Sequence, residues 1–90
     1  MAGEEMREFV GAVRRWRYAV RNGGSPKYLS ELRAEALRRA DALGYEGPMT
    51  FLAAYELFDL ADAIVSLNPG VSAGQVAAAL DAAGIVRAVA

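Results

Sequence analysis

Residues 49–67 read MTFLAAYELFDLADAIVSL and are the most informative part of the chain. When they are projected on a helix at about 100° per residue, their apolar side chains cover more than half of its circumference. A helix that is apolar most of the way round is buried on several sides. We therefore predict that this segment forms the central helix of the fold, in contact with the other helices. Its narrow polar face carries three acids and no base, at Glu56, Asp59 and Asp62.

Glycine and proline clusters divide the rest of the chain into helices. Such clusters lie at 22–26, 44–48 and 68–70, and Gly84 is the last breaker. Alanine, the best helix former, occurs 19 times, whereas Val, Ile and Thr together occur 11 times. We predict one all-α domain over residues 1–90, a compact bundle of four helices. The predicted helices cover 4–22, 26–43, 49–67 and 73–83, and residues 85–90 are left open as a short fifth helix, an edge strand or an extended tail.

Local signals support the predicted helix ends. Ser25 is a favourable N-cap, and Pro26 suits the first position of a helix. Gly23 can adopt the left-handed backbone conformation that commonly ends a helix, and we expect it to end the first helix. Ser72 followed by Gln75 fits the capping-box pattern, in which each side chain bonds the other residue's backbone N–H. These signals predict short turns, and consecutive helices joined by short turns pack as neighbours.

The composition excludes several kinds of chemistry. The chain has 90 residues, no Cys and no His, and its 10 basic and 11 acidic residues give a net charge of −1. Without Cys and His it has no disulfide, no thiolate nucleophile, no thiolate or imidazole zinc ligand and no Ser–His triad. A bundle of this size also leaves little room for a pocket of about 300 Å³ beside its own core. We therefore predict that it is not an enzyme and has no catalytic residue, cofactor or metal site.

The sequence also bears on location. No stretch reaches the roughly 18 apolar residues of a membrane span. The first eight residues contain three acids and do not resemble a secretion signal. The nearly balanced charge gives the whole molecule no attraction to nucleic acid or to an anionic membrane. We expect a cytoplasmic protein with no membrane partner.

The first helix carries a line of basic side chains. Arg7, Arg14 and Arg21 are seven residues apart and therefore lie within about 40° of one another around the helix. Such a line is either a solvated or internally paired face, or a surface that binds a partner protein or, less favourably, the phosphates of nucleic acid. If it binds a partner, the candidate residues are Arg7, Arg14, Arg17, Tyr18, Arg21 and Lys27.

The acidic line of the third helix has two interpretations. Carboxylates at Glu56, Asp59 and Asp62 could help to hold a hard cation. However, they sweep about 120° around the helix, which is too wide for one ion without other ligands. We favour ion pairing with the basic line of the first helix instead, either within the fold or across a subunit boundary. Specifically, we predict that Arg17, the base nearest the apolar side of the first helix, pairs with Asp59 or Asp62.

The last residues are apolar, and such a terminal segment commonly docks on its own core or on a partner subunit. We therefore predict a self-complementary homodimer interface. Together with the basic line, this favours a small helical protein-interaction module, of adaptor, regulator or inhibitor type, that binds another protein or itself. The alternative is a nucleic-acid-associated protein that uses the arginines of the first helix. The candidate residues for the homodimer interface are Leu80, Ile85, Val86 and Val89.

Overall fold

The four segments predicted to be helical all contain α-helices. The computed structural model describes residues 2–43 and 50–82, with side chains described within 4–43 and 55–80. The predicted 85–90 segment lies outside these residues. Within them there is no β-strand, no helix is both long and apolar enough to cross a membrane, and the predicted all-α bundle is confirmed. Its helices are α1 (Ala2–Arg21), α2 (Pro26–Asp41), α3 (Thr50–Leu67) and α4 (Ala73–Ala82).

Two helices share the centre of the bundle. α3 contacts α1, α2 and α4, as predicted from its wide apolar surface. α1 also contacts the other three helices, while α2 and α4 do not contact each other within the described residues. α1 can do this because its buried residues cover a wide part of its circumference. Its buried residues are Phe9, Val10, Ala12, Val13 and Ala19.

All four helices contribute to the core. Among the described side chains, Phe9 of α1 and Leu57 of α3 are the largest that are completely buried. α2 contributes small buried residues, Ala36 and Ala40, and small side chains allow helices to approach closely. No polar or charged residue is buried in the described ranges. Burial of apolar surface is therefore the main force that holds the helices together. The buried residues of α3 and α4 are Leu57, Phe58, Ala61, Val65, Val76 and Leu80.

The C-terminal end of α1 is closed by a glycine turn, as predicted. Gly23 has a φ of +74°, in the left-handed region. The Gly24 N–H donates to the Ala19 carbonyl at 2.9 Å, and the Gly23 N–H donates to the Val20 carbonyl at 3.3 Å. These are the two hydrogen bonds of a Schellman motif. They satisfy carbonyl groups that the end of a helix otherwise leaves without partners.

The predicted caps at two helix starts are also confirmed. Ser25 Oγ accepts from the Tyr28 N–H at 3.2 Å, and Pro26 is the first residue of α2. At α4, the Gln75 N–H donates to Ser72 Oγ at 3.1 Å, and the Ser72 N–H donates to Gln75 Oε1 at 2.9 Å. The second pair is a complete capping box. α2 ends at Asp41, two residues before its predicted end.

Substituting alanine for Gly23 is expected to lower the free energy of unfolding by about 1 kcal/mol, because a Cβ atom disfavours the left-handed conformation. No atom lies within 4 Å of that Cβ position, so the cost is conformational and not steric. Gly70→Ala is the matched control, since Gly70 has no positive φ and its Cβ would lie 3.9 Å from Asn68. Urea denaturation followed by circular dichroism measures both variants. An equal loss of stability in the two would contradict this role of Gly23.

Candidate interaction site

Arg17, a candidate for the partner surface, is paired within the chain. Its Nε donates to Asp62 Oδ1 at 2.9 Å, and its Nη2 donates to Asp62 Oδ2. The two side chains are only 26% and 16% exposed. The hydrogen bond to Asp62 raises the pKa of the Arg17 guanidinium, although partial burial acts in the opposite direction. The prediction that Arg17 pairs with Asp59 or Asp62 is therefore confirmed, and the partner is Asp62.

The aromatic residue beside Arg17 is also part of the packing between α1 and α3. The Arg17 guanidinium lies over the Trp16 ring, 5.0 Å from its centroid. The Trp16 ring in turn meets Phe58 edge to face, with centroids 5.1 Å apart and planes at 74°. Cation–π and edge-to-face contacts are both favourable, and the apolar surface shields the ion pair. We call Trp16, Arg17, Phe58 and Asp62 the α1–α3 seam.

Arg14 is also used within the fold. Its Nη2 donates to the backbone carbonyl of Val71, in the loop between α3 and α4. Val71 is 5% exposed, and Arg14 is half-buried. The Arg14 Nε is buried and has no hydrogen-bond partner in the described part of the chain. Arg14 therefore ties α1 to the start of α4, and only part of its side chain faces solvent.

The structure thus divides the six residues predicted to bind a partner. Arg14 and Arg17 are engaged within the fold, which agrees with the internally paired interpretation at these two positions and corrects their assignment to a partner surface. Arg14 and Arg17 can make these contacts because they lie at the edge of the buried side of α1. From there their long side chains reach α3 and the α3–α4 loop. Tyr18 is 71% exposed, an unusual degree for a large aromatic side chain. The exposed members of the set are Arg7, Tyr18, Arg21 and Lys27.

A groove of 410 Å³ lies between the second half of α1 and the start of α2. The sequence predicted little room for a pocket of about 300 Å³ beside the core, and this groove lies at the surface instead. A cleft that is open to solvent between two helices takes no space from the core. Tyr28, 51% exposed, lines it from α2, and Tyr18 lines it from α1. We call it the tyrosine groove, and its lining residues are Arg14, Arg15, Tyr18, Ala19, Asn22, Gly24 and Tyr28.

Sequence reasoning missed several of these lining residues, among them Arg15, Asn22 and Tyr28. A signal for Tyr28 was present, because a short turn between two helices places the first turn of the second beside the last turn of the first. The Asn22 Nδ2 donates to the Tyr18 carbonyl at 2.7 Å, which fixes its side chain at the end of α1. Nothing in the sequence marks Ala19 as a lining residue, because it contributes to the groove only by having a small side chain.

The basic residues of the second half of α2 are paired with acids. Arg38 pairs with Glu35 at 2.6 Å, and Arg39 pairs with Glu35 at 2.8 Å and with Glu8 of α1 at 3.0 Å. Glu35 and Arg39 are four residues apart on α2, a spacing at which opposite charges on a helix pair. Hydrogen bonds from Arg38 and Arg39 lower the pKa of the Glu35 carboxyl group. These charges are neutralised locally and join α2 to α1.

The unpaired bases are concentrated near the tyrosine groove. Arg33 stacks over the Tyr55 ring at 5.4 Å. Four other exposed bases have neither an acid partner nor an aromatic contact in the described part of the chain. All four lie on α1 or in the first turn of α2, and three of them line the groove or directly adjoin a lining residue in sequence. The four are Arg7, Arg15, Arg21 and Lys27.

The acidic line of α3 is divided in the same way as the basic line of α1. Asp62 is held in the α1–α3 seam, whereas Glu56 and Asp59 are exposed. Among residues 2–43 and 50–82, no group of three or more acids comes together in a way that could hold a metal ion. Asp62 therefore contributes to the packing of α3 against α1, whereas Glu56 and Asp59 face solvent.

Leu80 lies in the core and not on the surface. It is 3% exposed and packs among the buried residues of the other helices. We withdraw Leu80 from the predicted oligomer interface, because so buried a side chain has almost no surface left for a second copy. Ile85, Val86 and Val89, the other residues of that prediction, lie outside the described residues.

We compared the chain with protein-family models, with curated proteins and with solved structures, and none of them matched.

Proposed function

We propose that this protein is a small, non-enzymatic interaction module that binds another protein through the tyrosine groove. The observation that carries the proposal is the exposure of Tyr18 and Tyr28, 71% and 51%, in the lining of one groove, with one tyrosine on each of the two helices that form it. Large aromatic side chains are usually more buried than this. Tyr and Arg are also the residue types enriched among the energetically dominant positions of protein interfaces.

The chemistry of the groove favours binding over catalysis. Its described lining offers guanidinium groups, phenol hydroxyls, one amide and apolar surface, but no carboxylate. The chain has no His or Cys to serve as a base or nucleophile near neutral pH. A general base for proton transfer is therefore not at hand among these residues. The same groups are well suited to hold a folded or extended segment of a partner.

The alternative, a nucleic-acid-associated protein, has lost part of its support. It requires a row of guanidinium groups that follows a phosphate backbone. Arg14 and Arg17, two members of that row, are engaged with Val71 and Asp62. Three of the free bases that remain lie at or beside the tyrosine groove and the fourth, Arg7, lies apart from them, so they do not form a continuous line. We therefore favour a protein partner, with a second copy of the chain as one candidate.

Affinity purification with matched variants tests the proposal. The tagged chain is expressed in its native cell as wild type, as the Tyr18→Ala/Tyr28→Ala double variant, and as Leu67→Ala. Leu67 is the control because it is 87% exposed and lies at the end of α3, so the variant removes a large apolar side chain elsewhere. We expect proteins retained by wild type and Leu67→Ala to be depleted about tenfold or more by the double variant.

Circular dichroism should show that the double variant keeps its fold, since both tyrosines are largely exposed. Retention of the same proteins by the double variant would overturn the proposal. Light scattering on the purified chain identifies the case of a second copy. A dimer that dissociates in the double variant would mean that the groove binds another copy of the chain.

A further inference from the structure

The charged side chains around the tyrosine groove indicate which charge a partner should carry. Arg15, Arg21 and Lys27 are exposed and unpaired in the described part of the chain. No acid occurs anywhere between Glu8 and Glu31, a stretch that contains the whole lining of the groove. The surface there is positive although the protein as a whole has a charge of −1. Complementary charge steers association and excludes partners of the same sign, so the groove is suited to an acidic partner.

The size and lining of the groove indicate that a partner also places an apolar side chain in it. Ala19 is 6% exposed and lines the groove with a small apolar side chain, which leaves space in the groove for an apolar group of a partner. The volume of 410 Å³ falls within the roughly 300–1,000 Å³ of sites that enclose small ligands. The groove is therefore large enough to hold one large apolar side chain of a partner, but too small to hold a whole helix. Interfaces commonly place one such anchor in a pocket, surrounded by polar contacts.

The positions of the bases define where acids would lie. Arg15 and Arg21 are six residues apart on α1, which is about 9 Å along the helix axis. Tyr18 is midway between them, and all three lie within one broad face of α1. An extended chain covers this distance in about three residues, at about 3.3 Å per residue. Two acids three positions apart, with the apolar anchor between them, therefore match the spacing of the two arginines.

We propose that the tyrosine groove binds a short acidic segment of another protein, with one apolar side chain between Tyr18 and Tyr28. Carboxylates on either side of this anchor pair with Arg15 and with Arg21 or Lys27. This inference rests on the proposed function, because it assigns the partner of the same groove. Arg14 contributes less, since its guanidinium is engaged with Val71.

Peptide display is the direct test. A library of random peptides of about 12 residues is selected on the full chain and counter-selected on the Tyr18→Ala/Tyr28→Ala variant. We expect the enriched sequences to share a large apolar residue with acids on both sides. Synthetic versions of two enriched peptides are then measured by isothermal titration calorimetry. Matched peptides in which Gln or Asn replaces each acid should bind about tenfold more weakly or worse.

Charge-reversal variants locate the acids. Arg15→Glu and Arg21→Glu should each weaken peptide binding about tenfold, and raising the salt concentration from about 50 mM to about 500 mM should weaken the wild type similarly. Arg7→Glu is the matched control, because Arg7 is exposed on the same helix but about 12 Å from Arg15 along its axis. Its effect should stay within about twofold. Equal effects of all three variants would overturn the assignment of specific pairing at the groove.

The remaining outcomes separate this inference from the proposed function. Enriched peptides that need Tyr18 and Tyr28 but carry no acids would overturn the acidic partner and leave the groove as a binding site. Tight, salt-sensitive binding of a 20-nucleotide single strand that displaces the peptides would replace the protein partner by nucleic acid. A library that yields no tyrosine-dependent peptide, together with unchanged affinity purification in the double variant, would overturn both.

Discussion

Replacing Phe58 by alanine is expected to lower the free energy of unfolding by about 4 kcal/mol. Phe58 is 3% exposed, and its ring packs against Trp16 within the core between the two central helices. The substitution removes most of a buried aromatic side chain and leaves a cavity that the surrounding helices close only in part. A small domain has a total stability of about 5–15 kcal/mol, so this loss is a large fraction of it.

Equilibrium unfolding in urea, followed by circular dichroism, measures this effect. Phe58→Leu keeps the position apolar and fills part of the volume, so we expect it to lose only about 1–2 kcal/mol. If Phe58→Ala does not fold, Phe58→Leu still reports the edge-to-face contact. Leu67→Ala, at an exposed position, should stay within about 0.5 kcal/mol of wild type. A loss below about 1 kcal/mol in Phe58→Ala would show that the α1–α3 seam is not a major packing contact.

Removing the Asp62 carboxylate is expected to cost about 2 kcal/mol. Exposed ion pairs contribute about 0–1 kcal/mol, whereas removing one partner of a buried pair costs about 3–5 kcal/mol. The Arg17 and Asp62 side chains are 26% and 16% exposed, so this pair lies between the two cases. Asp62→Ala leaves the Arg17 guanidinium half-buried over Trp16 without its acceptor. The loss therefore comes mainly from an uncompensated charge.

A double-mutant cycle isolates the pair. Arg17→Ala, Asp62→Ala and the double variant should give a coupling free energy of about 1–2 kcal/mol. Asp59→Ala is the matched control, because Asp59 is an exposed acid on the same helix and should change stability by less than about 0.5 kcal/mol. A coupling free energy near zero, or an equal loss in Asp59→Ala, would show that the pair does not stabilise the fold.

The fold could be predicted from the sequence because its signals are local. The apolar arc of residues 49–67 and the caps at Ser25 and Ser72 depend on neighbours a few positions away. The choice of Asp62 over Asp59 could not be made, since it depends on how far α1 and α3 are rotated against each other. A backbone carbonyl such as that of Val71 has no sequence signature as an acceptor.

The site was predictable only in part. Tyr18 and Arg21 follow from the basic face of the first helix, and Lys27 lies just beyond it in the first turn of α2. All three are exposed, as that prediction requires. The groove itself arises where two helices meet, so its shape depends on tertiary geometry and not on a motif. Leu80 was assigned wrongly to a surface because an apolar residue near the end of a chain has the same pattern whether it faces its own core or a partner.

The turn between α1 and α2 determines how much order the groove already has before a partner binds. Gly23 uses a conformation that other residues rarely adopt, and a Cβ on Gly24 would lie 3.3 Å from the Ala19 carbonyl oxygen. Tyr18 and Tyr28 therefore stand on helices whose junction is fixed by backbone hydrogen bonds on one side and by the Ser25 cap on the other. Because this junction is already ordered, less conformational entropy is lost when a partner binds. Binding then has to order the side chains of the groove, but not the arrangement of the two helices.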